Sequence, residues 1–211
     1  MVFRPTAEER SNTATHAVGL LLSLIGAIFI LRGVLLHGEV WRWLSGGVYA
    51  ASLVGVYASS TLSHSASQPI AKHFFRRLDQ AFIYLLIVGS YSPFALAYLR
   101  SNGWWMLFLG LLWTVALFGF YSKIALAHRV DAVAVWIYLI LGWAPVVSAG
   151  PILHLAPVLS LYCMAIGGVC YTLGTVFLVN DQRAPYFHAV WHVFVIAGST
   201  FHFYGIWNVI A

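Results

Sequence analysis

The stretch "YFHAVWHVFVIAGSTFHFYG", residues 186–205, sets His188, His192 and His202 inside an apolar run of the length that crosses a bilayer. An ionisable side chain in hydrocarbon costs about 2.5 kcal/mol or more unless it is partnered, so three imidazoles in such a run mark a place where polar groups meet. The composition of the whole chain agrees with a bilayer setting. Of 211 residues, 61% are hydrophobic and 8% charged, against roughly 25% charged in a soluble domain. The chain reads as a polytopic membrane protein, and residues 1–211 read as a single seven-transmembrane domain, because no polar stretch is long enough to build a soluble one.

Seven apolar runs, at 15–36, 42–63, 78–99, 103–122, 131–150, 155–179 and 187–210, are each long enough to span as a helix. Breakers or polar clusters separate them: "HGE" at 37–39, "SASQP" at 65–69, "RSNG" at 100–103, "GP" at 150–151 and "NDQRAP" at 180–185. The fold class is therefore all-α, a seven-transmembrane helix bundle. The N-terminal side and the loops after the second, fourth and sixth runs carry Arg4, Arg10, Lys72, Arg76, Arg77, Lys123, Arg129 and Arg183; the other side carries Arg32, Arg42 and Arg100. That asymmetry puts the N-terminus in the cytoplasm and the C-terminus outside. Trp41, Trp43, Trp104, Trp105 and Trp207 fall near the predicted outer ends, where indoles favour the interface. The net charge of +5 is scattered singly among loops and forms no patch for nucleic acid. Cys163 and Cys170 lie seven residues apart on one run, about 10 Å along a helix and too far for a disulfide.

With this topology the second run ends at the cytoplasmic side in "SSTLSH", 59–64, and the seventh begins there with "HAVWH", 188–192. His188 and His192, four residues apart, share a helical face. Alone, that pair is read equally well as two packing residues. With His64 at the same depth it becomes a ligand set, since three neutral imidazoles and an open position make a catalytic zinc site. His202 lies about 15 Å further along the helix and reads as a buried hydrogen-bonding residue. Asp79, in "RRLDQAF" at 76–82, stands at the same membrane level, placed to orient or deprotonate a water at the ion. Ser60 is read as a substrate contact or as a small residue that lets helices approach. "EERSNTATH", 8–16, supplies Glu9, Asn12 and His16 on one face of the first helix, either as outer support for the ligands or, for the acid and amide, as helix-start capping. His37, His73, His128 and His154 stand alone and are left aside.

"EERSNTATH", "SSTLSH" followed fifteen residues later by Asp79, and "HAVWHVFVIAGSTFHFYG" together resemble the signature motifs of the progestin and adipoQ receptor (PAQR) superfamily, in particular its bacterial hemolysin III branch, over almost the whole chain. The resemblance implies that His64, His188 and His192 match the zinc ligands, and that Asp79 and Ser60 match the water-orienting and site-lining positions. It also implies kinship with ceramidases, a part in membrane-lipid homeostasis and a place in a bacterial cytoplasmic membrane. The long soluble N-terminal region of the eukaryotic receptors is absent, which argues against hormone binding. The leading expectation is a zinc-dependent hydrolase of lipid amides or esters whose bundle admits a fatty-acyl ligand. The alternative is a sensor of membrane state in which zinc ties helices together. A pore-forming protein ranks third, because the charged residues crowd one end instead of lining a path across.

Overall fold

The computed structural model describes residues 6–126 and 134–211. Arg4, His128 and Arg129, named above, and the start of the fifth run at 131 lie outside them. The described residues form α1 (Ala7–His37), α2 (Val40–Ser65), α3 (Pro69–Tyr98), α4 (Gly103–Ala125), α5 (Ala134–Trp143), α6 (Ala149–Leu155), α7 (Val158–Val179) and α8 (Phe187–Ile210). A short 3-10 segment, Ala144–Ser148, joins α5 to α6, so the eight α-helices make seven rods.

Local chemistry fixes the ends of the rods. Thr6 accepts from the Glu9 amide at the start of α1, where Glu8 and Glu9 in the first turn also favour the positive end of the helix dipole. Gly38 closes α1 in the left-handed region at φ 65°, which glycine enters without a Cβ penalty. Pro69 opens α3 and Asn102 caps α4. Two rods begin earlier than the apolar runs, at Ala7 and Pro69, because charged first turns are tolerated where a helix emerges from the hydrocarbon. The break expected at "GP", 150–151, falls instead at Ala156–Pro157. Pro151 sits in the first turn of α6, where a missing N–H costs no hydrogen bond, while Pro157 precedes Val158 as the cap of α7.

Six described helical segments, from Ala7–Leu36 to Phe187–Ile210, are long and apolar enough to cross a membrane. Their outward faces carry large apolar side chains such as Ile28, Leu36, Leu107 and Val179, all more than 60% exposed, as lipid-facing surfaces do. The rod outside that set is α2. It is long enough but rich in serine and glycine, and Ser45, Ser52, Ser59, Ser60 and Ser63 are buried. α2 packs between α1 and α3 and touches α8, so its serine-rich side is covered, while Val40, Leu44 and Leu62 stay exposed, and its small polar residues permit close approach. Glycines let the last two rods meet. A Cβ on Gly167 would sit 2.2 Å from the His202 ring and 3.0 Å from the Gly198 carbonyl oxygen. Cys163 and Cys170 are both free thiols.

Candidate metal centre

The start of α1, the end of α2, the start of α3 and the start of α8 gather at one end of the bundle. Glu9 of α1 bonds His64 of α2 and Lys72 of α3, and Thr15 of α1 bonds His192 of α8. α8 is approached through Tyr186, whose φ of 65° is uncommon for a non-glycine residue. Its amide donates to Glu8 Oε1 at 3.2 Å. The first helix thus fixes the turn that delivers His188 and His192.

His64, His188 and His192 come together here. The ring centroid of His64 lies 5.3 Å from that of His188 and 5.2 Å from that of His192, and the two α8 rings are 4.5 Å apart. A fourth ring stands among them. His16 lies 3.7 Å from His192 and 5.9 Å from His64, centroid to centroid. One ring nitrogen each from His16, His64 and His192 falls within a mutual 4.8 Å, a grouping able to hold a metal ion. His192 and His16 are 1% and 4% exposed.

The hydrogen bonds decide which nitrogens are offered. His64 Nδ1 meets the Glu9 carboxylate at 2.9 Å, and His188 Nδ1 meets the Asp181 carboxylate at 3.2 Å. A carboxylate only accepts, so each Nδ1 carries the proton and each Nε2 keeps its lone pair. His192 Nδ1 lies 3.0 Å from the Thr15 hydroxyl, which itself lies 2.9–3.0 Å from the Asn12 and Ser11 carbonyl oxygens. In either direction of donation the contact fixes the His192 ring against α1. Three imidazoles are therefore held by partners of the kind that orient metal ligands. This donor set suits zinc, which takes neutral imidazole readily.

The other sequence-derived residues take varied places. Ser60, one turn before His64, is 1% exposed and lies beside Asp79, yet its hydroxyl meets no partner at full hydrogen-bonding geometry. Asp79 itself is half-buried on α3. Glu9 stands directly behind His64, whereas Asn12 is buried with its side-chain oxygen unpartnered among the described residues. His202 hydrogen-bonds the Met164 carbonyl at 3.2 Å, away from the cluster. Sequence reasoning passed over Thr15, Lys72 and Asp181. Thr15 shares the α1 face of Asn12 closely enough to have been suspected. Asp181 lies in the turn before α8, where no helical register applies.

A cavity of about 310 Å³, lined among others by Glu9, Arg10, Thr13, His64 and Lys72, opens beside the cluster. A second, apolar cavity of about 360 Å³ lies among α2, α3 and α4, against Val48, Phe82, Leu85 and Trp113.

The family model described as "Haemolysin-III related" matches residues 5–203. The chain belongs to that family, the hemolysin III branch of the PAQR superfamily. It is 32% identical over 197 residues to the Hemolysin-3 homolog of Bacillus subtilis (strain 168), covering 93% of this chain and 92% of the relative. Hemolysin-3 of Bacillus cereus is 34% identical over 197 residues, with 93% and 89% covered. The human Monocyte to macrophage differentiation factor is 27% identical over 216 residues, with 98% and 86% covered. Family membership and the spanning helices make the chain a multi-pass integral membrane protein.

Proposed function

We propose that this hemolysin III protein is a zinc-dependent hydrolase of lipid amides or esters, working at the cytoplasmic end of a single seven-span domain in a bacterial inner membrane. The observation that supports the reading is the tethering of the rings: His64, His188 and His192 each have Nδ1 beside a partner, Glu9, Asp181 and Thr15. Bound zinc supplies a water acidified to a pKa of about 7 and a Lewis acid for a carbonyl. The remaining work belongs to the chain. His64, His188 and His192 fix the ion, and Glu9, Asp181 and Thr15 fix the rings. Asp79 takes the proton from the attacking water and returns it to the leaving group, with Ser60 beside it contacting the substrate. The polar cavity at Glu9 and Lys72 receives the headgroup side of a lipid, and the bundle interior receives the fatty-acyl chain.

The test is lipid analysis of purified protein reconstituted in vesicles of ceramides, acyl-ethanolamides and phospholipids, with and without a chelator. A product that forms only with zinc is expected. A second reading has its own support in the same contacts. An ion held by rings from α2 and α8 would tie distant helices together and suit a sensor of membrane state, and full zinc loading without any product in these lipids would favour it.

A further inference from the structure

Arg10 and Thr13 of α1, Ser65 and Ser67 at the end of α2 and Lys72 of α3 share the walls of the cavity of about 310 Å³. Of its charged groups, Glu9 is taken up by His64 and Lys72, whereas the exposed Arg10 enters none of the ion pairs among the described residues. Arg10 and Lys72 against Glu9 leave the lining with a net positive charge. Thr13 and Ser65 donate their hydroxyl protons to the Glu9 and Leu62 carbonyl oxygens, so Arg10, Lys72 and Ser67 are the donors that a ligand meets. The start of α3 adds to this sign. Its cap, Gln68, makes no side-chain hydrogen bond and its first turn holds no acid, so the positive end of the helix dipole stands uncompensated next to Ser67.

The polar mouth continues into an apolar track. From Ala14, on the cavity wall, the same face of α1 runs on through Val18, Leu21, Ile25 and Ile28, all exposed, at spacings of four and three that keep to one side of a helix. Leu62 of α2, one turn before Ala66, is exposed as well. A basic mouth above a lipid-facing track matches an amphiphile with an anionic head. We infer, in a step that rests on the reading of this cavity as the place of a lipid headgroup, that it selects an anionic phospholipid of the adjoining leaflet, with the phosphate held by Arg10 and Lys72 and an acyl chain laid along Val18 and Leu21. Basic pockets between membrane helices bind anionic headgroups in this way. A zwitterionic head brings an amine into a lining that is already positive, and the hydroxyl head of a ceramide or a diacylglycerol leaves Arg10 without a counter-charge.

Native mass spectrometry of the full-length protein, released from vesicles of phosphatidylglycerol and phosphatidylcholine in equal parts, provides the test. Wild type should retain phosphatidylglycerol in excess, and Arg10→Gln and Lys72→Gln should each lower that excess about fivefold, the usual weight of one basic residue at an anionic surface. Arg10→Lys should keep the excess, and so should Arg183→Gln, which removes an exposed charge from the turn before α8. A phosphatidylglycerol with a photoreactive glycerol head should label residues 9–14 and 64–72 of wild type, a readout that needs no variant to fold. Equal retention of the two lipids, equal losses in Arg10→Gln and Arg183→Gln, or labelling confined to other segments overturns the inference. Displacement of the lipid by glycerol phosphate at equal concentration overturns it in favour of a soluble phosphate ester. Selective retention without any hydrolytic product keeps the lipid site and removes the hydrolase, and zinc-dependent product from neutral lipids with no anionic selectivity does the reverse.

Discussion

Glu9 of α1 bridges α2 and α3: one carboxylate oxygen receives His64 Nδ1 at 2.9 Å, and the other receives the Lys72 ammonium. The lysine holds the carboxylate in place, the carboxylate holds the ring, and the ring presents Nε2. Charge-assisted hydrogen bonds of this kind are about twice as strong as neutral ones, so the bridge aims His64 while it pins α1 to α2 and α3.

Removing the bridge should loosen the metal without removing a ligand. Glu9→Ala is expected to weaken zinc binding by roughly 10- to 100-fold, the usual cost of losing an outer partner of a ligand. Competition with a fluorescent zinc chelator reads this directly. Glu39→Ala, which removes an exposed ion pair with Arg42 remote from the histidines, should leave zinc affinity as it is.

Replacing His64, His188 or His192 by Ala should sharply lower the zinc content per chain measured by elemental analysis. His202→Ala, whose ring bonds the Met164 carbonyl instead, should keep full content. Full occupancy in His192→Ala would refute the ligand set.

Asp79→Asn keeps the shape of the side chain but removes its basicity. Zinc content and thermal stability should hold, while fatty-acid release falls by roughly 10²- to 10⁴-fold, the usual contribution of a general base. Unchanged hydrolysis in a zinc-replete variant would end the role assigned to Asp79.

Orientation has its own check. Reporters fused after Ala211 should read out as extracytoplasmic and those inserted in the 65–77 segment as cytoplasmic, and the reverse result would move the metal centre to the other face of the membrane.

Packing between α7 and α8 gives a prediction independent of any metal. Gly167→Ala would drive a methyl group into the His202 ring and the Gly198 backbone, and backbone cannot yield as a flexible side chain does. The cost should be about 1–3 kcal/mol, seen as a lower midpoint in detergent thermal unfolding. Gly47→Ala, with open space around its Cβ, should be neutral or stabilising by up to about 1 kcal/mol.

Much of this architecture is legible in the sequence because hydrocarbon imposes a length and a composition on whatever crosses it. The seven runs correspond to seven rods, and the free cysteines follow from helical rise alone. The convergence of His64, His188 and His192 is also legible, since alternating helices bring the end of the second beside the start of the seventh. Other features are not readable along one dimension. A hydropathy pattern cannot see that Glu8 and Glu9 are already helical, because a charged first turn and a loop look alike. It places the sixth connection at Gly150–Pro151 because proline signals a break equally in the first turn of a helix and before one. Asp181 gains its role from a turn shaped by Tyr186, and His16 moves from the edge of the cluster into its middle through the packing of α1 on α8. Both depend on how rods are rotated about their axes, which spacing within one helix does not encode.

The Thr15–His192 bond joins residues 177 positions apart, which has a consequence for how the protein is made. A ribosome must deliver nearly the entire polypeptide before that pair can form, and the first helix enters the lipid long before its partner exists. Until α8 inserts, His16 waits as a polar flaw in the bilayer, whereas the Thr15 hydroxyl is satisfied within α1. A chain cut short before Phe187 keeps that flaw for good, and carries a mark by which membrane quality-control proteases can tell an unfinished product from a finished one.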